Sequence, residues 1–467
     1  MAADDRLATC NRRTLLKASA MIATFTLSPV LMAGVRAGAD EPLVPPPPSR
    51  RADAGDTGIN VLRALLLATL TKVPTIGAFL TTLGNLFIPL SGQNPEDLWR
   101  RYTDARISDT VMALVKADLA GLSEVIALYR EAVRGGNLDT IKTQSIACRT
   151  VFAQRLPQFK LAGHEGELLP LFVQAATLQL ALLKDMASTG KQIGLADADI
   201  VAIKRDITER IPEYQRHVDT FVAKVIDKTR RDNPNDSVPN KRNQPLSAVL
   251  EKTTELQLSV NDIRDTWYAF DVEKFPNGTS VELTREVFSP IIGWWDAGST
   301  PPNRIPDWEA PRSAIRSLEI WNKSQWRTSF LSAFRVHYED GSEITTGQIA
   351  GARTEINLSN RPVTRLVAVS SAGIGALILG TTDGRVEAVG RDPEEVIDRI
   401  LTSNAPKGHR LSSLRSVGKG RNAAENTVSG FIAGYQLIDS RSSSLPLECF
   451  DEIAPGMPLQ VLEWLAT

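Results

Sequence analysis

The chain is poor in the residue types on which most protein chemistry depends. It has three cysteines and four histidines in 467 residues. So few cysteines exclude a disulfide-built scaffold. Cys10 lies in the extreme N-terminal segment, and Cys148 and Cys449 fall in different parts of the chain, where buried free thiols are expected rather than a bridge. The histidines, His164, His217, His337 and His409, are scattered. None shows H-E-x-x-H or a Cys/His metal spacing. Gly418-Lys419-Gly420 lacks the earlier glycine of a phosphate-binding loop, and no G-x-S-x-G elbow occurs. No enzyme activity, cofactor or metal is therefore expected. Excess charge is missing too: 53 basic against 54 acidic residues leave a formal charge of −1. That balance withholds the basic footprint of a nucleic-acid binder. With 42% hydrophobic and 23% charged residues, the chain is an ordinary globular one with room for two or three cores.

The N-terminus carries a targeting pattern. Asn11-Arg12-Arg13-Thr14 precedes a moderately apolar stretch from Ala18 to Met32, and Ala37-Gly38-Ala39 supplies a small-x-small cleavage signature. Paired arginines at Arg12 and Arg13 match a bacterial twin-arginine signal; an ordinary secretory signal is the alternative. Ser28-Pro29 interrupts the stretch, which is short for a permanent anchor. Residues 1–39 are expected to direct export, to the periplasm or the medium, of a protein already folded. A proline-rich linker follows over 40–57, extended at Pro45 to Pro48. Arg50 and Arg51 within it are a candidate protease activation site, and Lys228 to Arg231 is a second basic candidate.

Residues 58–292 read as helices. Leu62, Leu65, Leu66 and Leu70 start the first, which breaks near Pro74. Pro95-Glu96-Asp97 makes a good first helical turn. Val111, Leu114, Val115, Leu119, Leu122, Val125, Ile126 and Tyr129 mark the inner face of a long helix that Gly135-Gly136-Asn137 ends. Leu138 to Lys160 is amphipathic, with Ile141, Ile146, Val151, Phe152 and Leu156 expected inward. Asp197 to Lys228 is the clearest amphipathic helix, with Ile200, Ile203, Ile207, Ile211, Tyr214, Val218, Phe221 and Val225 at steps of three and four and a kink expected at Pro212. Leu246 to Tyr268 is the last helix. Beyond residue 292 the period changes to two, over Ile315 to Trp321, Phe334 to Tyr338, Thr354 to Leu358, Val363 to Val369, Ala376 to Leu379 and Val428 to Leu437. Asp340-Gly341 and Asp383-Gly384 punctuate these strands. An all-β domain over 293–467 is expected, with a helical insertion at Asp392 to Thr402.

One run differs from all others. Leu168 to Met186 is apolar on nearly every side, with a narrow polar ribbon of Gln174, Thr177, Lys184 and Ser188 at helical spacing. Nineteen residues rise about 28 Å as a helix, close to the roughly 30 Å of a bilayer's hydrocarbon core. Periodicity alone leaves two alternatives, the core helix of a stable bundle or a membrane span.

The helical region resembles the N-terminal domain of the insecticidal crystal delta-endotoxins. Leu169 to Asp185 is similar to that family's central helix, with Gln174-Ala175-Ala176, a leucine run and a Lys-Asp pair. Tyr214 to Val222 resembles the next helix, Leu283 to Phe288 the exit from the bundle, and Val61 to Trp99 the first two helices. The β region resembles the family's second domain, a three-sheet β-prism, and Val336 to Ser342 is also similar to a hairpin of jacalin-like lectins. The family's usual third domain, a β-sandwich, has no room here, and the export signal is unlike that of the sporulation-accumulated crystal toxins.

The resemblance implies a seven-helix bundle with a central apolar helix, followed by an all-β three-sheet prism. It implies a pore-forming toxin whose prism binds a cell-surface protein or glycan receptor. The bundle would insert the Leu138-Met186 hairpin into a target membrane and assemble as a homo-oligomer. Leu171, Phe172, Gln174, Leu178, Leu180, Leu182 and Lys184 would then enter the membrane. Lys142, Gln144, Arg149, Gln154 and Arg155 of the partner helix would line water. In the soluble state Arg155 and Asp185 are candidates for interhelical ion pairs. Trp321, Trp326, Tyr338, Asp340 and Asp383 are candidates for the recognition loops; the plainer alternative is that the aromatics fill the prism core and the Asp-Gly pairs make turns. Trp294, Trp295 and Trp308 are expected to pack at the domain junction. The alternative function is a secreted carbohydrate-binding protein whose helical domain is only a scaffold.

Overall fold

The computed structural model describes residues 55–103, 107–234, 244–293, 305, 308–325, 328–359, 361–370, 373–390, 399–417 and 428–438. Eight helices come first: α1 (Gly55–Leu70), α2 (Ala78–Gly84), α3 (Pro95–Arg101), α4 (Asp109–Gly135), α5 (Leu138–Arg155), α6 (Glu165–Thr189), α7 (Asp197–Asp232) and α8 (Gln244–Leu256). Their ends follow local chemistry. Ser108 accepts the Val111 amide at the start of α4, and Asn137 accepts the Thr140 amide at 3.0 Å at the start of α5. Between them Gly136, with φ of 70°, ends α4 in the left-handed region that glycine enters freely. Pro212 sits inside the continuous α7. The helix expected to end at Lys228 runs on to Asp232; Lys228 to Arg231 is therefore helical, a poor substrate shape for a protease. The last expected helix is broken. A π-helical turn (Gln257–Asn261), one turn at Asp262–Arg264 and a 3-10 turn (Trp267–Phe270) follow α8.

The helices bury one contiguous core around α6, whose residues from Leu168 to Ala187 are all buried. α7 shows the opposite pattern, burying the stripe from Ile200 to Val218 at helical spacing, with Phe221 and Val225 only partly covered; Leu114 of α4 and Ile146 of α5, expected inward, are exposed.

Among the described residues twelve strands build three antiparallel sheets of four. The strands are β1 (Val287–Phe288), β2 (Ile292–Gly293), β3 (Ile315–Gln325), β4 (Thr328–Tyr338), β5 (Glu343–Gly347), β6 (Ala352–Asn357), β7 (Val363–Ser370), β8 (Ile374–Thr381), β9 (Val386–Gly390), β10 (Arg399–Asn404), β11 (His409–Val417) and β12 (Gly430–Leu437). One sheet has the order β5-β4-β3-β6, the second β10-β7-β8-β9, and the third β1-β12-β11 with β2 also on β12. Their inner faces share a core that includes Leu318, Phe334, Tyr338, Leu366, Leu377, Leu414, Phe431 and Tyr435. Arg399 to Thr402 lies in β10, paired with β7, so a strand stands where the end of a helical insertion was expected; residues 391–398 lie outside the described residues.

The chain passes from one core to the other between Leu283, in the bundle, and Val287, in the prism. β1 and β2 therefore belong to the prism's third sheet, a few residues earlier than the change of period suggests. That sheet is also covered from outside: Val417 and Ile432 pack with Leu246 and Leu250 of α8. This explains why every residue of β12 is buried, whereas β6 is exposed at all but one.

Candidate functional site

α6 is 25 residues long, about 37 Å at 1.5 Å per residue. Among the described residues it is the one helix long and apolar enough to cross a membrane. Leu171, Phe172, Gln174, Leu178, Leu180, Leu182 and Lys184 all lie on it and are all buried. Ser188, the last of the ribbon, is exposed. The polar residues of α6 are held individually. Trp267 Nε1 donates to Thr177 Oγ1 at 2.8 Å, and the Tyr214 hydroxyl donates to Gln179. Lys184 Nζ donates to the Ala269 carbonyl at 2.7 Å and stands 5.0 Å from the Phe79 ring centre. Asp185 accepts the amides of Phe79 and Leu80 at 3.0 and 2.8 Å. Asp185 thus forms no interhelical ion pair; it closes the otherwise open first turn of α2. Burial lowers the Lys184 ammonium to about 8 and raises the Asp185 carboxyl to about 8. Gln174 has no hydrogen-bond partner for either side-chain atom among the described residues.

α5 precedes α6 across a 3-10 turn (Leu156–Lys160). Its polar residues are engaged with neighbours. Arg149 meets Asp206 of α7 at 3.2 Å, Arg155 meets Asp118 of α4 at 2.7 Å, and Lys142 donates to the Gly194 carbonyl at 2.6 Å. These ties are partly exposed and worth little each, about 0–1 kcal/mol. The α5–α6 pair is held mainly by burial.

The joint between the domains is more strongly polar. Asp262 is fully buried and accepts Arg63 of α1 at 3.0 Å, Arg285 Nε at 2.7 Å, Arg285 Nη2, and Gln257 at 3.1 Å. Burial alone would raise this carboxyl; Arg285 and Arg63 overcome it and hold the group below its usual value. Arg285 Nη1 also donates to His409 Nε2 at 2.8 Å, and His409 Nδ1 donates to the Lys407 carbonyl at 3.0 Å. Burial first, then the two arginines, keep that ring neutral and lower it to about 3. Beside it Glu286 accepts Arg415 and the hydroxyls of Ser412 and Ser413, while the Arg415 guanidinium stacks 3.9 Å from the Trp308 ring centre. Trp308 is thus a packing residue at the junction, as expected; Trp294 and Trp295 lie outside the described residues. Sequence reasoning missed this joint, since its members are separated by up to hundreds of residues and share no motif.

The recognition candidates are placed differently from one another. Trp321 is 7% exposed in the middle of β3 with Arg335 over its ring, and Tyr338 is buried with its hydroxyl donating to the Ser412 carbonyl at 2.8 Å. Neither is a loop residue, because their positions in the strand pairing turn them onto sheet faces. Asp340 accepts the Ser342 amide at 2.9 Å, and Asp383 accepts Thr381 Oγ1 and the Arg385 amide, so both carboxylates shape tight turns. Trp326, Arg12, Arg13, Arg50, Arg51 and Cys449 lie outside the described residues. Cys148 is a buried free thiol in α5. His217 packs between Phe172 and Phe221 rather than near any metal ligand. Among the described residues no group of three His, Cys, Asp or Glu side chains is placed to hold a metal.

A helical package closed around one membrane-length helix, joined to a three-sheet prism, defines a bundle-and-prism architecture. Residues 67–271, somewhat under half of the chain, match the family of the delta endotoxin, N-terminal domain, so it is the helical domain that is similar to that family. The pesticidal crystal protein Cry1Ia of Bacillus thuringiensis subsp. kurstaki is 28% identical over 214 residues, covering 43% of this chain and 28% of that protein. The chain spans about a third of the length of the curated relatives it matches. Among solved structures, the Bacillus thuringiensis insecticidal crystal protein Cry7Ca1 superposes with a TM-score of 0.65 at 17% identity, over 82% of this chain and 75% of that one. The structure of PirB superposes with a TM-score of 0.63 at 16% identity, over 82% of this chain and 96% of that one. The fold of both described domains is thus that of the insecticidal crystal proteins, and it includes the prism.

Proposed function

We propose that the protein is an exported pore-forming toxin of insecticidal type. Its prism binds a cell-surface protein or glycan, and its bundle then opens so that α5 and α6 enter the target membrane as a hairpin. The observation that carries this proposal is α6 itself: a helix long and apolar enough to span lipid, yet kept from water on every side. In lipid such a helix satisfies its own backbone groups, so it needs no partner to be inserted. The soluble fold supplies the same apolar surroundings from its neighbours. The weak ties of α5 to α4 and α7 favour release of the pair as a unit. Exit from the producing cell rests on the Arg12-Arg13 pattern, and activation on cleavage at Arg50-Arg51.

The buried Trp321 and Tyr338 and the turn-forming Asp340 and Asp383 move the recognition surface away from those side chains and onto the loop backbones around them. The test is dye release from lipid vesicles, measured with and without a trypsin-like protease across a range of pH. Release that depends on protein concentration is expected. Absence of release under every condition, together with binding on a glycan array, would replace this proposal with the carbohydrate-binding scaffold.

A further inference from the structure

A cavity of about 700 Å³ opens where the prism meets the bundle. Three parts of the chain wall it: the stretch from Thr284 to Phe288 that leads out of the bundle, the segment around Trp308, and the third sheet through Arg415 and Gln436. Its size is that of a small-molecule site, and domain junctions are where such sites gather. The alternation of β12 brings Gln436 there. Phe431, Ala433 and Tyr435 turn into the prism core, so Ile432, Gly434 and Gln436 turn outward. Ile432 meets α8, Gly434 lies under Glu286, and Gln436 reaches the cavity. It is 7% exposed, and its carboxamide has no hydrogen-bond partner among the described residues. The Thr284 hydroxyl, on another wall, has none either. Buried polar groups are normally paired, so two unpaired ones around one cavity point to a ligand that pairs them.

The walls carry no net charge. Arg415 is answered by Glu286 and Arg285 by Asp262. Arg312 and Glu309, at the exposed rim, are one of each sign. The Trp308 and Phe288 rings, with the Arg415 guanidinium 3.9 and 4.7 Å from their centres, add apolar wall. An anion would compete with Glu286 for Arg415, and a cation would meet Arg415 itself. A hydrocarbon would leave Gln436 and Thr284 unpaired. A neutral molecule with many hydroxyls fits, because a hydroxyl both donates and accepts. The geometry points to a sugar-binding site in this cavity: a neutral mono- or disaccharide whose hydroxyls pair with the Gln436 carboxamide and the Thr284 hydroxyl, its carbon face against Trp308 and Phe288. This site is additional to the recognition surface proposed above, and it needs neither an opened bundle nor a membrane. The bound sugar touches Thr284, in the chain that crosses between the two cores, and Gln436, in the third sheet. It therefore holds the crossing against the prism and stabilises the soluble fold by mass action.

The test titrates the full chain by calorimetry with D-glucose, D-galactose, N-acetyl-D-glucosamine and lactose, and with citrate as an anionic comparison. Saturable binding of at least one sugar is expected, with a Kd of about 1 mM, the range of a small ligand held by few hydrogen bonds. Gln436→Leu is expected to weaken that binding about tenfold and Thr284→Val about threefold. At ten times its Kd the sugar is expected to raise the thermal midpoint of the unaltered chain by about 1–3 °C, and that of Gln436→Leu by less than half as much. Thr284→Val, an isosteric change at a partly exposed position, keeps the test decisive if Gln436→Leu does not fold. No saturable binding of any of the sugars overturns the inference. Equal affinity in the unaltered chain and both variants overturns it too, because the sugar then binds elsewhere, and the proposed receptor recognition is left standing. Binding of citrate without binding of a sugar overturns it in favour of an anion site. Dye release from vesicles is a separate readout, so failure of the pore leaves this site standing.

Discussion

The joint between the domains and the interior of the bundle both bury polar side chains, and they treat them differently. At the joint, Asp262 gathers Arg63, Arg285 and Gln257, and His409 takes the remaining Arg285 donor, so each group is matched. Along α6, Thr177, Gln179, Lys184 and Asp185 are matched one by one, and Gln174 is left over among the described residues. A matched buried ion cluster holds two domains in one arrangement but contributes little net stability, since desolvation offsets attraction. An unmatched carboxamide in the core of a helix does neither. The contrast separates a place where the fold is fixed from a place where the fold tolerates a cost.

The largest effect is expected from unmatching the joint. Asp262→Ala leaves Arg63 and Arg285 buried without their anion and should cost about 3–5 kcal/mol, read by chemical denaturation. A loss below about 1 kcal/mol would mean that water reaches the arginines. Crowding the same joint should cost less. A Cβ on Gly434 would overlap Glu286 Oε1 and Ser413 Oγ, so Gly434→Ala must displace the Glu286–Arg415 pair. About 1–3 kcal/mol is expected, with the thermal midpoint as readout. Trp267→Phe sharpens the other side of the comparison. It removes the indole donor while Thr177 keeps its bond to the Val173 carbonyl, so about 1 kcal/mol is expected, again by denaturation.

The smallest effect is a slope with pH. The Asp185 carboxyl is raised in the fold by burial, so its contribution is fully present below the unfolded value and is lost as pH rises toward about 8. The Lys184 ammonium is lowered by burial, so its protonation disfavours the fold at lower pH and that penalty fades as pH rises above about 8. The thermal midpoint should therefore fall between about pH 5 and 8 through Asp185. Asp185→Asn should flatten that slope. An unchanged slope would assign it to other groups.

Much of the fold is visible in the sequence because burial geometry writes itself as a period. α7 exposes one face, and its isoleucines announce the other. α6 exposes none, and its period vanishes, which is itself informative. The stop at Gly135-Gly136-Asn137 follows from the left-handed conformation it requires. Other elements leave weaker marks. β5 and β9 are short edge strands with exposed residues at alternate positions, so no apolar run signals them. β11 reads His-Arg-Leu-Ser-Ser-Leu-Arg-Ser-Val, and its buried serines hide a strand that is buried along most of its length. The break after α8 is a tertiary effect, set by Asp262 turning into the joint. Trp321 and Tyr338 look like sugar-stacking residues until strand register places them in packed faces. The joint itself is illegible, because the pairing of Arg63 and Arg285 with Asp262, and of Arg285 with the neutral His409, exists only once segments distant along the chain have met.

The third sheet gives the order of assembly a direction. Its central strand, β12, pairs Tyr435 with Val287 and Gly430 with Gly293, residues made long before it. Contacts so distant along the chain form slowly. A chain growing from its N-terminus can close the bundle around α6 while the prism still lacks its last wall. The exit strands β1 and β2 then wait, unpaired, until β12 arrives to cover them. A ribosome halted before Gly430 would thus carry a finished bundle with a loose hem of strand, sticky toward any other unpaired edge.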